Sequence, residues 1–71
     1  MSNVKARDHL IKLMESSSAP SIARVGAAEG LGYIGGSVAI DHLIKAMETV
    51  SWPHEVRAAA AKALGMAASK N

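Results

Sequence analysis

The chain has 71 residues with eight basic and six acidic side chains, a formal charge of +2, and no cysteine. That length allows one domain and lies near the lower limit for a single apolar core, which buries only about 60% of its unfolded surface. Disulfides and thiolate-rich metal sites are excluded, no three basic residues run together as a nucleic-acid footprint would ask, and no stretch approaches the roughly 18 apolar residues of a membrane span.

The N-terminus, Met1-Ser2-Asn3-Val4-Lys5, lacks the apolar centre of a secretory signal, and with the absent cysteine this points to cytoplasmic residence. Apolar residues make up 49%, but fourteen of them are alanine, and the only aromatics are Tyr33 and Trp52. Alanine-rich segments favour helices, and helices that approach one another closely. A first helix is expected from about Val4 to Ser16. A second starts near Pro20, where a missing N–H has no intrahelical partner to lose, with Ser18 upstream as a cap. It ends at Gly35-Gly36, a left-handed stop. The third runs from about Ser37 to Thr49, with Ser37 as N-cap and Asp41 in the first turn, at the positive end of the dipole. Its apolar face carries Ala39, Ile40, Leu43, Ile44, Met47 and Val50. The fourth starts near Pro53, with Ser51 as cap, and reaches Ala67-Ala68-Ser69.

These four helices are two copies of one unit. Asp8-His9-Leu10-Ile11-Lys12-Leu13-Met14-Glu15 returns as Asp41-His42-Leu43-Ile44-Lys45-Ala46-Met47-Glu48. Pro20, Arg24, Ala27-Ala28 and Leu31-Gly32 return as Pro53, Arg57, Ala60-Ala61 and Leu64-Gly65. Residues 4–38 laid over 37–71 share 15 identities in 35 positions without a gap. A fixed period of this kind marks a repeat architecture. The chain therefore reads as a single domain, 1–71, with repeat one at about 4–36 and repeat two at about 37–69. Arg7 in place of Ile40 suits a terminal repeat with a wet outer side.

The second helices carry Val56-Arg57-x-x-Ala60-Ala61-x-Ala63-Leu64-Gly65 and Ala23-Arg24-x-x-Ala27-Ala28-x-Gly30-Leu31-Gly32-x-Ile34-Gly35. With Ala39-Ile40-Asp41-His42-Leu43-Ile44-Lys45-Ala46-Met47, this resembles the HEAT-like repeats of phycobilisome-lyase type. The resemblance implies an all-α fold of two tandem HEAT-like helical hairpins, a short α-solenoid whose inner surface binds other proteins. It implies a non-catalytic interaction or self-assembly module, with an accessory protein related to bilin lyase subunits as the alternative. The chain departs from the pattern by a half-unit offset and by having two units where solenoids generally need three. Both departures leave helix faces without neighbours, which points to a homodimer or higher homo-oligomer.

Among candidate site residues, the resemblance gives Arg24 and Arg57 a structural place in hydrogen bonds near the interhelical turn, a role that suits a planar guanidinium better than an ammonium. Pro20, Pro53, Gly32 and Gly65 likewise belong to the scaffold. His9 and His42 fall at equivalent positions on adjacent helices, about 10 Å apart and too far for one zinc ion, and read as surface histidines. Iron-binding HEAT-like hydroxylases place His-Glu directly after the Val-Arg of the repeat. Here those positions hold Val25-Gly26 and Ala58-Ala59, and His54-Glu55 lies upstream at a helix start, where an acid complements the dipole. The run from Gly30 to Gly36 has no P-loop lysine. No metal, cofactor or catalytic residue is expected.

The glycines Gly26 and Gly30 lie one turn apart, as do Ala59 and Ala63, and imply close packing in return for the cost of helical glycine. The face of the second helices turned away from the core holds Ile22, Val25, Gly26, Glu29 and Tyr33, then Glu55, Ala58, Ala59, Lys62 and Met66, with Trp52 beside them. So apolar a stripe marks a protein contact. For Trp52 a staple on Val56 is the equal alternative. Nucleic-acid binding through Lys5, Arg7, Lys12, Lys45 and Lys62 is disfavoured because Glu15, Glu29 and Glu48 alternate with them.

Overall fold

The computed structural model describes residues 3–70. Among these residues four α-helices form: α1 (Asn3–Glu15), α2 (Ser21–Ile34), α3 (Gly36–Glu48) and α4 (His54–Ser69). No described residue is in a strand. The connections are short, so α1 lies against α2 and α3 against α4 as antiparallel hairpins. The hairpins stack chiefly through α2 and α4, which share the most extensive contact, whereas α1 and α3 meet only lightly. One layer is therefore α2 and α4, the other α1 and α3, in a body of 30 × 21 × 15 Å.

The prolines start the second helix of each hairpin from just outside it. Pro20 (φ −60°, ψ 146°) and Pro53 (φ −56°, ψ 144°) stand at the N-cap positions with extended backbone. The carbonyl of Pro20 accepts from the N–H groups of Ala23 and Arg24, and that of Pro53 from Val56 and Arg57, at 3.0–3.1 Å. Neither cap makes a side-chain hydrogen bond. Ser18 and Ser51 thus do not cap, because both lie two residues upstream of the capping position; the Ser18 hydroxyl meets that of Ser16 at 3.1 Å instead.

Ser37 does not cap α3 either. Gly35 (φ 71°) donates its N–H to the Leu31 carbonyl at 2.9 Å, closing α2, and is at once the N-cap of α3. Gly36 (φ 85°) follows as the first residue of α3. Two consecutive positive φ angles need glycine. They let the chain reverse in one residue, so the N-cap of α3 falls at Gly35, two residues before its serine. Asp41 consequently falls beyond the first turn. Val50 is 77% exposed because α3 has ended at Glu48, leaving it in the turn.

The core is built largely from alanine. Ala27, Ala28, Ala39, Ala46, Ala60, Ala63 and Ala67 are buried, and the large fully buried side chains are Met14, Leu31, Leu43 and Val56. Small side chains let neighbouring helices close. A Cβ on Gly32 would stand 3.0 Å from the Cα, Cβ and carbonyl oxygen of Ala63, so α2 and α4 touch backbone to backbone there. Gly30 is also tight, with Leu10 Cδ1 3.1 Å from where its Cβ would be. Gly26 is not: nothing lies within 4 Å of that position, and packing therefore does not explain it.

Candidate interaction surface

The α2/α4 layer buries one side against α1 and α3 and turns the other outward. On α2 the outward side carries Ile22 (82% exposed) and Tyr33 (69% exposed), with Glu29 also exposed and Val25 half-buried; exposed Gly26 matches Ala59 in the repeat and stands at the edge of this face, toward the end of the stack. On α4 it carries exposed Glu55, Ala58 and Lys62 and half-buried Met66. Glu29, Tyr33, Lys62 and Met66 converge from the two helices on one cleft of about 130 Å³.

Two residues of the expected stripe lie elsewhere. Ala59 is 8% exposed and belongs to the core, since it sits one turn before Ala63 on the side of α4 that meets α2. Trp52 is half-buried and packs on the core. Its ring lies 4.7 Å from the Arg24 guanidinium carbon, a cation–π contact from the α3–α4 turn to α2. Trp52 is thus engaged inside the chain.

Arg24 and Arg57 make the same bond in the two repeats. Arg24 donates Nε–H to the Met14 carbonyl at 2.9 Å, and Arg57 donates to the Met47 carbonyl at 3.0 Å. Each ties the start of a second helix to the end of the first, where a carbonyl has no intrahelical donor. Arg24 is 4% exposed under the Trp52 ring, with its Nη2 unpartnered, while Arg57 is only half-buried. Gly32 is buried and Gly65 exposed.

The histidines differ as well. His42 is no free surface group: its Nδ1 stands 2.8 Å from Glu15 Oε2, joining α3 to α1, with both side chains about a third exposed (32% and 29%). His9 and His54 are exposed. Among the described residues no three His, Cys, Asp or Glu side chains are grouped to hold a metal ion. A second recess, about 250 Å³, lies between Val4, Arg7 and the Ile34–Val38 junction. Both recesses are smaller than the roughly 300–1,000 Å³ of typical small-molecule sites, and neither gathers acid, base and nucleophile. No described helix is long and apolar enough to cross a membrane.

The Glu15–His42 bridge and the Trp52–Arg24 stack are the two contacts that helix periodicity does not reveal, because each joins residues far apart in sequence. The recurrence of both Glu and His at the 33-residue period was the available signal for the first.

Comparison with known proteins returned no matching curated protein and no matching solved structure. Residues 2–70 match the family of HEAT repeats, almost the entire chain. Repeats of this family generally mediate protein–protein interaction and are typically non-catalytic. With paired helices stacked at a 33-residue period and covered over nearly its whole length by the match, this chain belongs to the HEAT-repeat family.

Proposed function

We propose that the chain is a non-catalytic protein-binding module that captures an extended or helical segment of another protein along the outward face of α2 and α4. The observation that carries this reading is the cleft of Glu29, Tyr33, Lys62 and Met66, flanked by Ile22 at 82% exposure. An exposed isoleucine and tyrosine on one face, with the acid Glu29 on the same helix and the base Lys62 across the cleft on α4, form an apolar anchor site with charged edges. Protein contacts favour that composition, with tyrosine and methionine enriched. The cleft is too small for a cofactor yet wide enough for one apolar side chain of a partner. No observation favours an accessory role beside a bilin lyase over general protein binding.

The test is selection from a displayed peptide library against the folded chain. Selected ligands are expected to share an apolar anchor with neighbouring charges opposite to Glu29 and Lys62. Tyr33→Ala combined with Met66→Ala should abolish their binding while leaving the helical circular dichroism unchanged. Ligands that bind this double variant as well as the parent would overturn the assignment of the face.

A further inference from the structure

The two ends of the helix stack carry the two halves of the contact that joins the repeats, and we infer that copies of this chain associate head to tail through them. Inside the chain, repeat one meets repeat two at two points besides the Trp52–Arg24 stack. Gly32 of α2 approaches the Ala63 backbone, with 3.0 Å from its would-be Cβ to the Ala63 Cα. Glu15 of α1 meets His42 of α3 at 2.8 Å. In each, repeat one supplies its trailing face and repeat two its leading face.

A shift of 33 residues reproduces both contacts between the free ends. Gly65 corresponds to Gly32 and Glu48 to Glu15, both on the trailing face of repeat two. Gly30 corresponds to Ala63 and His9 to His42, both on the leading face of repeat one. Repeat-matched positions share one register, so differences in burial between them mark the faces that the other repeat does not cover. Ala28 and Leu31 are fully buried, but their counterparts Ala61 and Leu64 are exposed and half-buried. No atom lies within 4 Å of a Cβ on Gly65. At the other end Ala59 is 8% exposed, while its counterpart Gly26 is exposed with nothing within 4 Å of its Cβ position. Glu48 and His9 are both exposed, an acid at one end and its repeat-matched histidine at the other.

A second copy is therefore the occupant that fits. Its repeat one, set where a third repeat would stand, places its Gly30 against Gly65 and its His9 against Glu48. Two substitutions make this contact weaker than the internal one. Trp52, which covers Arg24, has Ala19 as its counterpart, and Ile40 has Arg7. The contact joins two different surfaces, so it does not close at two copies but extends. It rests on the reading that the chain works through protein contacts, yet it uses the ends of the stack and not the cleft.

Sedimentation equilibrium of the purified chain from micromolar to millimolar concentration tests it. The weight-average mass should rise past that of a dimer without a plateau. Gly65→Leu and Gly26→Leu both place a side chain where the single chain has open space. Each should keep its helical circular dichroism and sediment as a monomer. Mixed in equal amounts they should form a one-to-one dimer, since each retains the end the other lacks. Glu48→Lys should weaken association about five-fold, the scale of one exposed ion pair, and adding His9→Glu should restore it. Tyr33→Ala with Met66→Ala should leave the self-association unchanged, which separates this surface from the cleft. A parent chain monomeric at every concentration overturns the inference. So does a dimer plateau that Gly65→Leu abolishes and Gly26→Leu leaves intact, which would be a two-fold contact between α4 helices.

Discussion

Gly32 and Gly65 occupy the same place in the two repeats, yet alanine should act on them with opposite sign. At Gly32 the added methyl would lie 3.0 Å from three atoms of Ala63, two of them backbone. Carbon atoms rest about 3.5–4.0 Å apart, so α2 and α4 must separate by about half an ångström or more. Backbone cannot rotate aside as a flexible side chain would. Overpacking of this kind costs about 1–3 kcal/mol, and replacing a helical glycine returns about 0.5–1 kcal/mol. The net loss is roughly 1 kcal/mol, or about 4–8 °C in Tm for a domain of this size. At Gly65 nothing lies within 4 Å, and only the gain of about 0.5–1 kcal/mol remains. Thermal and urea unfolding followed by circular dichroism, in dilute solution, measures both variants. A Gly32→Ala chain stabilised as much as Gly65→Ala would refute the close approach of α2 and α4.

Two further predictions concern the polar contacts. Arg24→Ala removes a charged hydrogen bond and the cation–π contact from a site 4% exposed, and should cost about 2–4 kcal/mol; Arg57→Ala, lacking the ring and half-buried, should cost about half as much. Urea melts give the order, Trp52 emission should change only for Arg24→Ala, and equal losses would contradict the role of the stack. His42→Ala breaks a pair whose side chains are 32% and 29% exposed, so its cost should stay near or below about 1 kcal/mol; a loss several times larger would show that the bridge carries more of the repeat contact than its exposure allows.

The architecture was legible because one observation, the 33-residue period, fixes helix number, pairing and stacking together. Helix ends were less so. Serines upstream of Pro20 and Pro53 and at position 37 look like caps by type, but the backbone at the prolines and at Gly35 settles the ends without them. Local residue preference is weak where proline or a positive-φ glycine already sets the dihedrals. The outward stripe on α2 and α4 was readable from helical spacing except at its edge. Ala59 lies on the boundary between outward and α2-facing sides, and an alanine gives no signal of which it joins. Trp52 could be placed beside the stripe but not oriented, because its partner Arg24 comes from the other repeat.

The protein-binding reading is tested most directly by amide chemical-shift mapping of the labelled chain with a selected peptide ligand. Shifts should concentrate at Ile22, Glu29, Tyr33, Lys62 and Met66, the outward face of α2 and α4. Shifts confined to the α1/α3 layer or to the recess at Val4, Arg7 and Val38 would contradict it.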